Sequence, residues 1–394
     1  MRVTLIRSGQ VFAPEPLGQR DVLVVGKCVA AVAEPGSVRI AGVEVEEIDA
    51  EGLCLVPGLV DPHVHLLGGG GEGGPATRAP EIRIEDIVSC GVTTVIGCLG
   101  TDGVTRHLVS LLAKARGLEA EGISAFMLSG SYEVPVTTLT GSVRSDLVLI
   151  DKVLGAGEIA ISDHRSAQPT FEEIARLAAE CRVGGMLAGK AGILNLHVGD
   201  GSRGLELVRR LGEETEIPRW QVLPTHCNRN RQLFAETVAH VRAGGWADLT
   251  AGLEAQDDGV SVEEAVRLFR ERGVSLERVT VSSDANGSLP VFDASGALVG
   301  LQVADQRAFF AAFQRVARLG GDGLAAAATV FSTNAAKLFK LPGKGRIAPA
   351  SDADLLLLNG DLEVVHLFAL GRRVVENGAV VVCGTFSVGR EAHA

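Results

Sequence analysis

Val60-Asp61-Pro62-His63-Val64-His65 is the stretch of this 394-residue chain that decides its fold, because it ends an apolar run that starts at Leu53. In a β-strand, alternate side chains point to the same side, so His63 and His65 project together while Val64 faces away. Two imidazoles on one face form half of a metal site. Alone, the His-x-His pattern is weak evidence, because two half-buried, hydrogen-bonded histidines would show the same spacing.

Three further residues turn this half-site into a hypothesis. His197, His226 and Asp284 each end a short apolar segment with a period of two, so each is expected at the end of a strand. A (β/α)₈ barrel gathers the carboxyl ends of its strands into one mouth, where ligands more than 200 residues apart in sequence can meet. The remaining histidines lack this placement and are interpreted as surface or structural residues: His107, His164, His240, His366 and His393.

The composition agrees with one barrel and a small appendage. The chain is 46% hydrophobic, with 49 glycines and 4% aromatic residues, which suits a large aliphatic core. A net charge of −11 argues against nucleic acid or an anionic membrane as a partner. Without a stretch of signal-peptide or transmembrane length, we expect a cytoplasmic protein. Seven cysteines with no Cys-x-x-Cys pair indicate reduced thiols, and Cys227, beside His226, is interpreted as a packing residue.

The hydrophobic pattern divides the chain into three parts. Residues 1–56 and 344–394 contain short strand patterns that are insufficient alone, so both ends are expected to combine into one small β-sandwich domain. Residues 57–343 are predicted to form an α/β, TIM-like (β/α)₈ barrel that carries the candidate metal ligands. Its helices are predicted at roughly 104–121, 146–154, 170–182, 202–214, 229–243, 261–272 and 303–318. Its strands are the one ending at His65 and others near roughly 92–99, 123–129, 158–162, 192–197, 221–226, 247–250 and 279–283.

The candidate ligands are imidazoles and carboxylates with no thiolate. Such a donor set suits Zn²⁺, with Mn²⁺, Fe²⁺ or Co²⁺ as substitutes. A site with an open coordination position supplies hydroxide at neutral pH. Asp284 is the natural group to take a proton from that water and pass it to a leaving group, although a strand-end carboxylate could also simply cap the turn before Asn286.

Several segments carry a resemblance to a known family. Besides residues 60–65 they are the loop 68–74 with Glu72, Gly91-Val92-Thr93-Thr94-Val95, Gly130-Ser131-Tyr132, Ser162-Asp163-His164-Arg165-Ser166, His226-Cys227-Asn228-Arg229 and Ser282-Ser283-Asp284-Ala285-Asn286-Gly287-Ser288. Through these segments the chain resembles the isoaspartyl dipeptidases of the amidohydrolase superfamily. The His-x-His motif is common to the superfamily, whereas the segments around Tyr132, Arg165, Arg229 and Ser288 are more specific to this family. The resemblance covers the barrel and both flanks.

The resemblance implies hydrolysis of β-aspartyl dipeptides, in which the peptide bond runs through the aspartate side chain. His63 and His65 would bind one metal ion, His197 and His226 a second, and Asp284 would be the acid and base. The other implied roles are the substrate ammonium for Glu72, the aspartyl α-carboxylate for Arg165, the C-terminal carboxylate for Arg229, the scissile carbonyl for Tyr132, and hydrogen bonds for Thr101 and Ser288. The resemblance also implies a homo-oligomer, an octamer.

The chemistry of these residue types supports the assignment independently. A substrate with two carboxylates and one ammonium group needs two cations and one anion near the metal, which Arg165, Arg229 and Glu72 supply. The alternative is that the two arginines form salt bridges across loops. Tyr132, the one tyrosine of the chain, could stabilise a developing oxyanion or be an ordinary loop residue.

One position departs from the family. Where the family has a lysine on the fourth strand that is carboxylated by CO₂ and bridges two metals, this chain has Glu158. Glutamate already carries a carboxylate but is about three atoms shorter. Glu158 is expected to bridge two ions after a small backbone shift; the alternatives are one ion, or weakened binding and lost activity. Lys152 and Lys190 are expected at the opposite end of the barrel.

The sequence thus predicts a zinc-dependent isoaspartyl dipeptidase that releases aspartate and a free amino acid. Another amidohydrolase, such as a cyclic amidase or an N-acyl-amino-acid deacylase, is the alternative enzyme. A metal-free, non-catalytic binding protein is the alternative from a different class, which the glutamate at position 158 makes conceivable.

Overall fold

The structure of the protein is a computed structural model that describes residues 2–253, 258–293, 297–385 and 387. It starts with strands that belong to a terminal sheet. These strands are β1 (Val3–Phe12), β2 (Pro16–Val25), β3 (Cys28–Ala33), β4 (Glu46–Asp49) and β5 (Cys54–Pro57). Only Gly58 separates β5 from the first barrel strand, so the chain passes directly from the sheet into the barrel.

Parallel strands and helices then alternate. The strands are β6 (Leu59–Val64), β7 (Val92–Gly97), β8 (Ser124–Ser129), β9 (Val153–Ile161), β10 (Ile193–Val198), β11 (Val222–Thr225), β12 (Ala247–Thr250) and β13 (Val279–Ser282). The helices among them are α1 (Ile84–Val88), α2 (Leu108–Glu121), α3 (Val143–Leu149), α4 (Phe171–Ala188), α5 (Glu206–Glu214), α6 (Arg231–Arg242) and α7 (Val262–Glu271). The predicted alternation is therefore confirmed.

After the last barrel strand the chain forms a hairpin, more helices and four strands of the terminal sheet. The hairpin is β14 (Ser288–Phe292) and β15 (Leu298–Val303). The helices are α8 (Gln306–Ala317), α9 (Gly323–Ala328), a π-helical turn (Thr329–Thr333) and α10 (Asn334–Leu338). The final strands are β16 (Leu355–Leu358), β17 (Val364–Ala369), β18 (Arg372–Glu376) and β19 (Ala379–Val380).

The barrel closes through two kinds of contact. Strands β6 to β11 form one parallel sheet, and β12 pairs with β13. Closure between β13 and β6 comes from a parallel bridge between Val64 and Ala285 and from a 3.1 Å hydrogen bond that the Asp284 amide donates to the His63 carbonyl. The Cys227 amide donates to the Asp248 carbonyl at 3.0 Å and links β11 to β12. The fold is thus a TIM-like barrel, as predicted.

Both ends of the chain contribute to one nine-stranded sheet, in the order β19-β18-β17-β16-β5-β1-β2-β3 with β4 beside β1. The junction is the antiparallel pair β5 and β16, in which Leu55 lies opposite Leu357. Leu55, Leu357 and Phe368 are fully buried in the core of this sheet. The expected union of both ends is confirmed, while the domain bounds 1–56, 57–343 and 344–394 stay predictions.

The structure corrects several predicted elements. The helix predicted over 146–154 ends at Leu149, and residues 153–154 already belong to β9. The reason is local: the β-branched Val153 and the glycines Gly155 and Gly157 favour extended backbone over helix. The sequence analysis also missed α1, the hairpin β14–β15 and the helices from 323 to 338, because short or uniformly apolar segments show no clear period. In the described part of the chain no helix has the length and apolarity needed to cross a membrane.

Candidate active site

All six predicted metal ligands lie at the mouth formed by the carboxyl ends of the barrel strands. His63 is the second-to-last residue of strand β6, and His65 follows that strand. Glu158 is in β9 and His197 in β10. His226 and Asp284 follow β11 and β13 with φ angles of 64° and 55°, a left-handed conformation that turns the backbone out of the strand. Each of the six is buried.

Glu158 occupies the centre of the histidines. Its Oε2 lies 3.3 Å from His63 Nε2, 3.1 Å from His197 Nδ1 and 3.6 Å from His226 Nε2. Its Oε1 lies 3.4 Å from His65 Nε2. The structure therefore brings all four imidazoles to one carboxylate, with both oxygens engaged.

Gly100 allows this close approach, because a Cβ there would lie 2.8 Å from His65 Cε1 and 3.3 Å from a Glu158 oxygen. Asp284 lies on the other side of this cluster. Its Oδ1 lies 3.0 Å from His65 Nε2 and 3.7 Å from His63 Nε2. We call the cluster the histidine pit; it consists of His63, His65, Glu158, His197, His226 and Asp284.

The buried carboxylates and imidazoles of the pit shift one another's pKa values. Burial alone raises the pKa of Glu158, but the charge of His63 and hydrogen bonds from the histidines outweigh it and hold that pKa well below its usual value. Burial likewise opposes ionisation of Asp284, and its hydrogen bond with His65 still lowers the pKa to about 2. Burial and the neighbouring His197 lower the pKa of His226 to about 3.

These residues fit a metal ion. Two buried carboxylates, Glu158 and Asp284, form ion pairs only with histidines in the part of the chain that the structure describes. Neutral imidazoles would leave two buried negative charges without compensation, which is costly unless a cation is present. Three groups of donor atoms, each within 4.8 Å, could hold an ion: His63, His65, Cys98 and Glu158; His63, His226 and Asp284; and Glu158, His197 and His226.

A second cluster lies beside the pit and contains Glu72, Thr101 and Ser288. The Glu72 Oε1 accepts hydrogen bonds from Ser288 Oγ at 2.8 Å and Thr101 Oγ1 at 3.1 Å. It also lies 3.5 Å from Arg165 Nη1. The other oxygen, Oε2, is buried and has no hydrogen-bond partner among the described residues. A buried carboxylate oxygen in this position is suited to a cationic donor from a bound molecule.

Arg165 is held rigidly by Asp163. Its Nε and Nη2 donate to the two Asp163 oxygens at 3.0 and 2.7 Å, and Asp163 Oδ2 also lies 2.9 Å from His197 Nε2. Burial raises the pKa of Asp163, but the bonds from His197 and Arg165 lower it well below its usual value. One carboxylate therefore fixes both an arginine fork and a candidate ligand.

Tyr132 and Arg229 complete the cleft. The Tyr132 hydroxyl lies 2.8 Å from His197 Nδ1, and burial followed by the Glu158 charge raises its pKa well above the usual value. The phenol is therefore neutral and can donate a hydrogen bond at physiological pH. Arg229 donates from Nε to the Val198 carbonyl at 3.2 Å and lines the same cleft as Arg165 and Tyr132.

Of the residues that were interpreted as surface, structural or packing residues, His164 lines the same cleft as Arg165, whereas His240 and Cys227 lie in structural surroundings. His240 donates a hydrogen bond from Nε2 to the Trp246 carbonyl, 3.1 Å away, and Cys227 packs in the main core. Lys152 and Lys190 precede β9 and β10, so they lie at the opposite end of the barrel. His393 lies outside the described residues.

Sequence reasoning missed two residues. Asp163 lay within a quoted motif but received no role, and only the fold shows that it reaches both Arg165 and His197. Cys98 was overlooked although it lies at the end of the strand predicted near 92–99, and its Sγ lies 3.4 Å from His63 Nε2. The structure therefore adds a thiol to the groups that could hold an ion, beside the imidazoles and carboxylates of the predicted donor set.

The chain is similar to proteins of one known family and to a solved structure of β-aspartyl dipeptidase. Residues 54–380 match the model of the amidohydrolase family. A crystal structure of β-aspartyl dipeptidase from Fervidobacterium islandicum AW-1 in complex with β-Asp-Leu is 47% identical, covers 96% of this chain and 98% of its own, and superposes with a TM-score of 0.89.

More distant relatives have other activities. An adenine deaminase from Halalkalibacterium halodurans is 25% identical over 96% of this chain and 58% of its own length. A dihydroorotase from Pelobacter propionicus is 29% identical over 67% of this chain and 61% of its own length. The chain thus spans less than two thirds of the length of these two relatives.

Proposed function

The chain belongs to the amidohydrolase family, and from this premise we propose that it hydrolyses β-aspartyl dipeptides to aspartate and a free amino acid. The observation that carries the proposal is the pairing of Glu72 with Arg165, 3.5 Å apart, beside the histidine pit. A carboxylate and an arginine fork at this spacing match the ammonium and α-carboxylate that an aspartyl residue keeps when its side chain forms the peptide bond. The similarity to the F. islandicum enzyme supports the same substrate class.

Each end of the substrate has a complementary group. The Glu72 oxygen that has no partner would accept hydrogen bonds from the ammonium group, while Ser288 and Thr101 hold the other oxygen. Arg165 would bind the aspartyl α-carboxylate, in a position fixed by Asp163. Arg229 would bind the C-terminal carboxylate from the far side of the cleft.

The metal would be held by His63, His65, Glu158, His197, His226 and Asp284. We propose Zn²⁺, with two ions that would both be held by Glu158, because this carboxylate contacts members of both histidine pairs: Oε2 lies near His63, His197 and His226, and Oε1 near His65. Mn²⁺, Fe²⁺ and Co²⁺ are the substitutes that such donors accept. A bound ion supplies Lewis acidity and makes water a strong nucleophile at neutral pH.

The residues of the chain supply the proton transfers and the orientation. Asp284, ionised because its pKa is about 2, takes a proton from the attacking water and delivers it to the leaving amine nitrogen. Tyr132, kept neutral by its raised pKa, donates a hydrogen bond to the carbonyl oxygen as negative charge develops there. One water is consumed, the amide C–N bond breaks, and aspartate and a free amino acid leave.

A variant at Glu72 separates this proposal from a cyclic amidase, which would act on a ring amide without a free ammonium group. We expect Glu72→Gln to lower kcat/KM for β-Asp-Leu by about 10- to 100-fold, since a charge-assisted hydrogen bond contributes about 1.5–3 kcal/mol. The matched control is Glu81→Gln, whose side chain is 60% exposed and pairs with Lys114. Two results would contradict the dipeptidase proposal. One is unchanged β-Asp-Leu hydrolysis by Glu72→Gln, and the other is wild-type protein that hydrolyses the ring amide dihydrouracil but not β-Asp-Leu.

The proposed partner is therefore a small dipeptide, and the homo-octamer implied by the family resemblance is part of the same proposal. Analytical ultracentrifugation of the metal-loaded protein measures the oligomer directly. A monomer would contradict the oligomer while leaving the proposed reaction intact.

A further inference from the structure

A thiol lies among the imidazoles of the proposed metal centre. Cys98 follows β7, is 1% exposed, and shares the inward face of that strand with Ile96, which packs inside the barrel. Its Sγ lies 3.4 Å from His63 Nε2 and 3.8 Å from the Val64 carbonyl. Together with His63, His65 and Glu158 it forms a group whose donor atoms all lie within 4.8 Å of one another.

The separations match the edges of a tetrahedral zinc site. With Zn–N of roughly 2.0–2.1 Å and Zn–S of about 2.3 Å, tetrahedral angles place two N or O ligands roughly 3.3 Å apart and a sulfur about 3.6 Å from a nitrogen. The observed distances are 3.3 Å from His63 Nε2 to Glu158 Oε2, 3.4 Å from His65 Nε2 to Glu158 Oε1, and 3.4 Å from Cys98 Sγ to His63 Nε2. With one donor atom from each residue, all four lie within 4.8 Å of one another, which is close enough for one ion to draw them together.

We propose that Cys98 binds, as a thiolate, the metal ion that His63 and His65 hold. This inference rests on the proposed metal centre but adds a ligand to it. Metal uptake would release the thiol proton to solvent, because a thiol that coordinates zinc is deprotonated. The thiolate supplies a second anion at a site where Glu158 is shorter than the carboxylated lysine of the family.

Two consequences follow for the metal centre. A soft sulfur donor favours Zn²⁺ or Co²⁺ over Mn²⁺ in the ion bound by His63 and His65. Cys98 would join His63, His65 and Glu158 around that ion, with Asp284 beside them, whereas Glu158, His197 and His226 would hold the other ion and leave it an open position. The first ion would therefore be held by more protein ligands, and the second would be open to water or substrate.

Cobalt substitution tests the ligand without any substrate. The wild-type Co²⁺ protein is expected to show a sulfur-to-cobalt charge-transfer band in the near ultraviolet, and Cys98→Ala to lose it. The matched control is Cys181→Ala, a buried cysteine of α4 outside the metal groups, which should keep the band. A band of full intensity in Cys98→Ala, or no band in fully loaded wild-type protein, would overturn the proposal.

Zinc X-ray absorption on the wild-type protein gives the same answer if Cys98→Ala does not fold. A sulfur shell at about 2.3 Å supports the thiolate ligand, and a first shell of nitrogen and oxygen alone overturns it. Measuring β-Asp-Leu hydrolysis on the same sample separates the two proposals. Active protein without a sulfur shell would refute the role of Cys98 and leave the dipeptidase intact, whereas a sulfur shell in protein inactive on β-Asp-Leu would do the reverse.

Discussion

Two carboxylates are fully buried inside the same barrel, and their surroundings differ. Glu158 faces four histidines, whereas Asp248 of β12 accepts hydrogen bonds from the hydroxyls of Thr225, Thr280 and Ser282 at 2.5–2.7 Å. Burial raises the pKa of Asp248, and the hydroxyls only partly offset that rise. At Glu158 the histidines reverse the effect of burial and hold the pKa well below its usual value.

The difference separates a carboxylate that is held by hydroxyls from one that is a candidate metal ligand. Hydroxyl donors give both oxygens of Asp248 hydrogen-bond partners. Histidines satisfy Glu158 only while they carry protons, so a metal ion can replace those protons and bind with the same charge complementarity. Burial alone would not have separated the two sites; the type of donor does.

The largest effect is expected at Glu158. Glu158→Gln removes the charge that the histidines surround, so we expect loss of bound metal. Because an ion supplies several kcal/mol of transition-state stabilisation, kcat/KM for β-Asp-Leu should fall on the order of 10³-fold or more. Elemental analysis and steady-state kinetics on one sample measure both. Full metal content and near-normal activity in Glu158→Gln would contradict this expectation, because they would show that neither metal binding nor catalysis needs the Glu158 carboxylate.

Tyr132→Phe is expected to lower kcat by roughly 10²- to 10³-fold with little change in KM, since it removes one donor to the developing oxyanion. The change keeps the aromatic ring next to His197. Metal content should stay at the wild-type level, which sharpens the distinction between holding the ion and using it. A variant that loses metal together with activity would instead make Tyr132 a support for His197.

A histidine outside the mouth extends the comparison to imidazoles. Burial lowers the pKa of His240 to about 4, so the unfolded state binds more protons than the folded state between pH 4 and about 6.5. The free energy of unfolding should therefore fall by up to about 3 kcal/mol from this group as pH drops through that window. His240→Gln should show a correspondingly smaller fall in urea titrations. If the free energy of unfolding depends on pH equally in the wild type and in His240→Gln, the lowered pKa of His240 is contradicted.

The smallest effect is expected at Asp248. Asp248→Asn keeps the shape of the side chain but disturbs the three hydroxyl bonds, so we expect a loss of about 1–2 kcal/mol in the free energy of unfolding. Metal content and kcat/KM of the folded protein should match the wild type within about twofold. Chemical denaturation provides the measurement, and a loss of bound metal would mean that the two carboxylate sites are not separate.

Much of the site could be predicted from the sequence, because its residues follow strands. His63, His65, His197, His226 and Asp284 end apolar segments, and the barrel topology brings such ends together. The family resemblance placed Glu72 and Ser288, 216 residues apart in sequence, in the same substrate pocket. It did not predict the hydrogen bond between them, which the structure shows.

The rest depends on geometry that no local pattern carries. Asp163 acts through two residues from different elements, and Cys98 becomes a donor only because β7 lies next to β6. The end of the helix predicted over 146–154 was wrong because pairing of Val153 with β8 adds to the local preference of this segment for extended backbone.

We propose that Glu158 organises a metal centre that cleaves the β-aspartyl bond. The test is hydrolysis of β-Asp-Leu by zinc-loaded protein, with α-Asp-Leu as control and metal content recorded on the same sample. We predict turnover of the β isomer alone, loss of turnover in chelator and recovery with Zn²⁺. Protein that binds its metal fully and leaves β-Asp-Leu intact would contradict the claim.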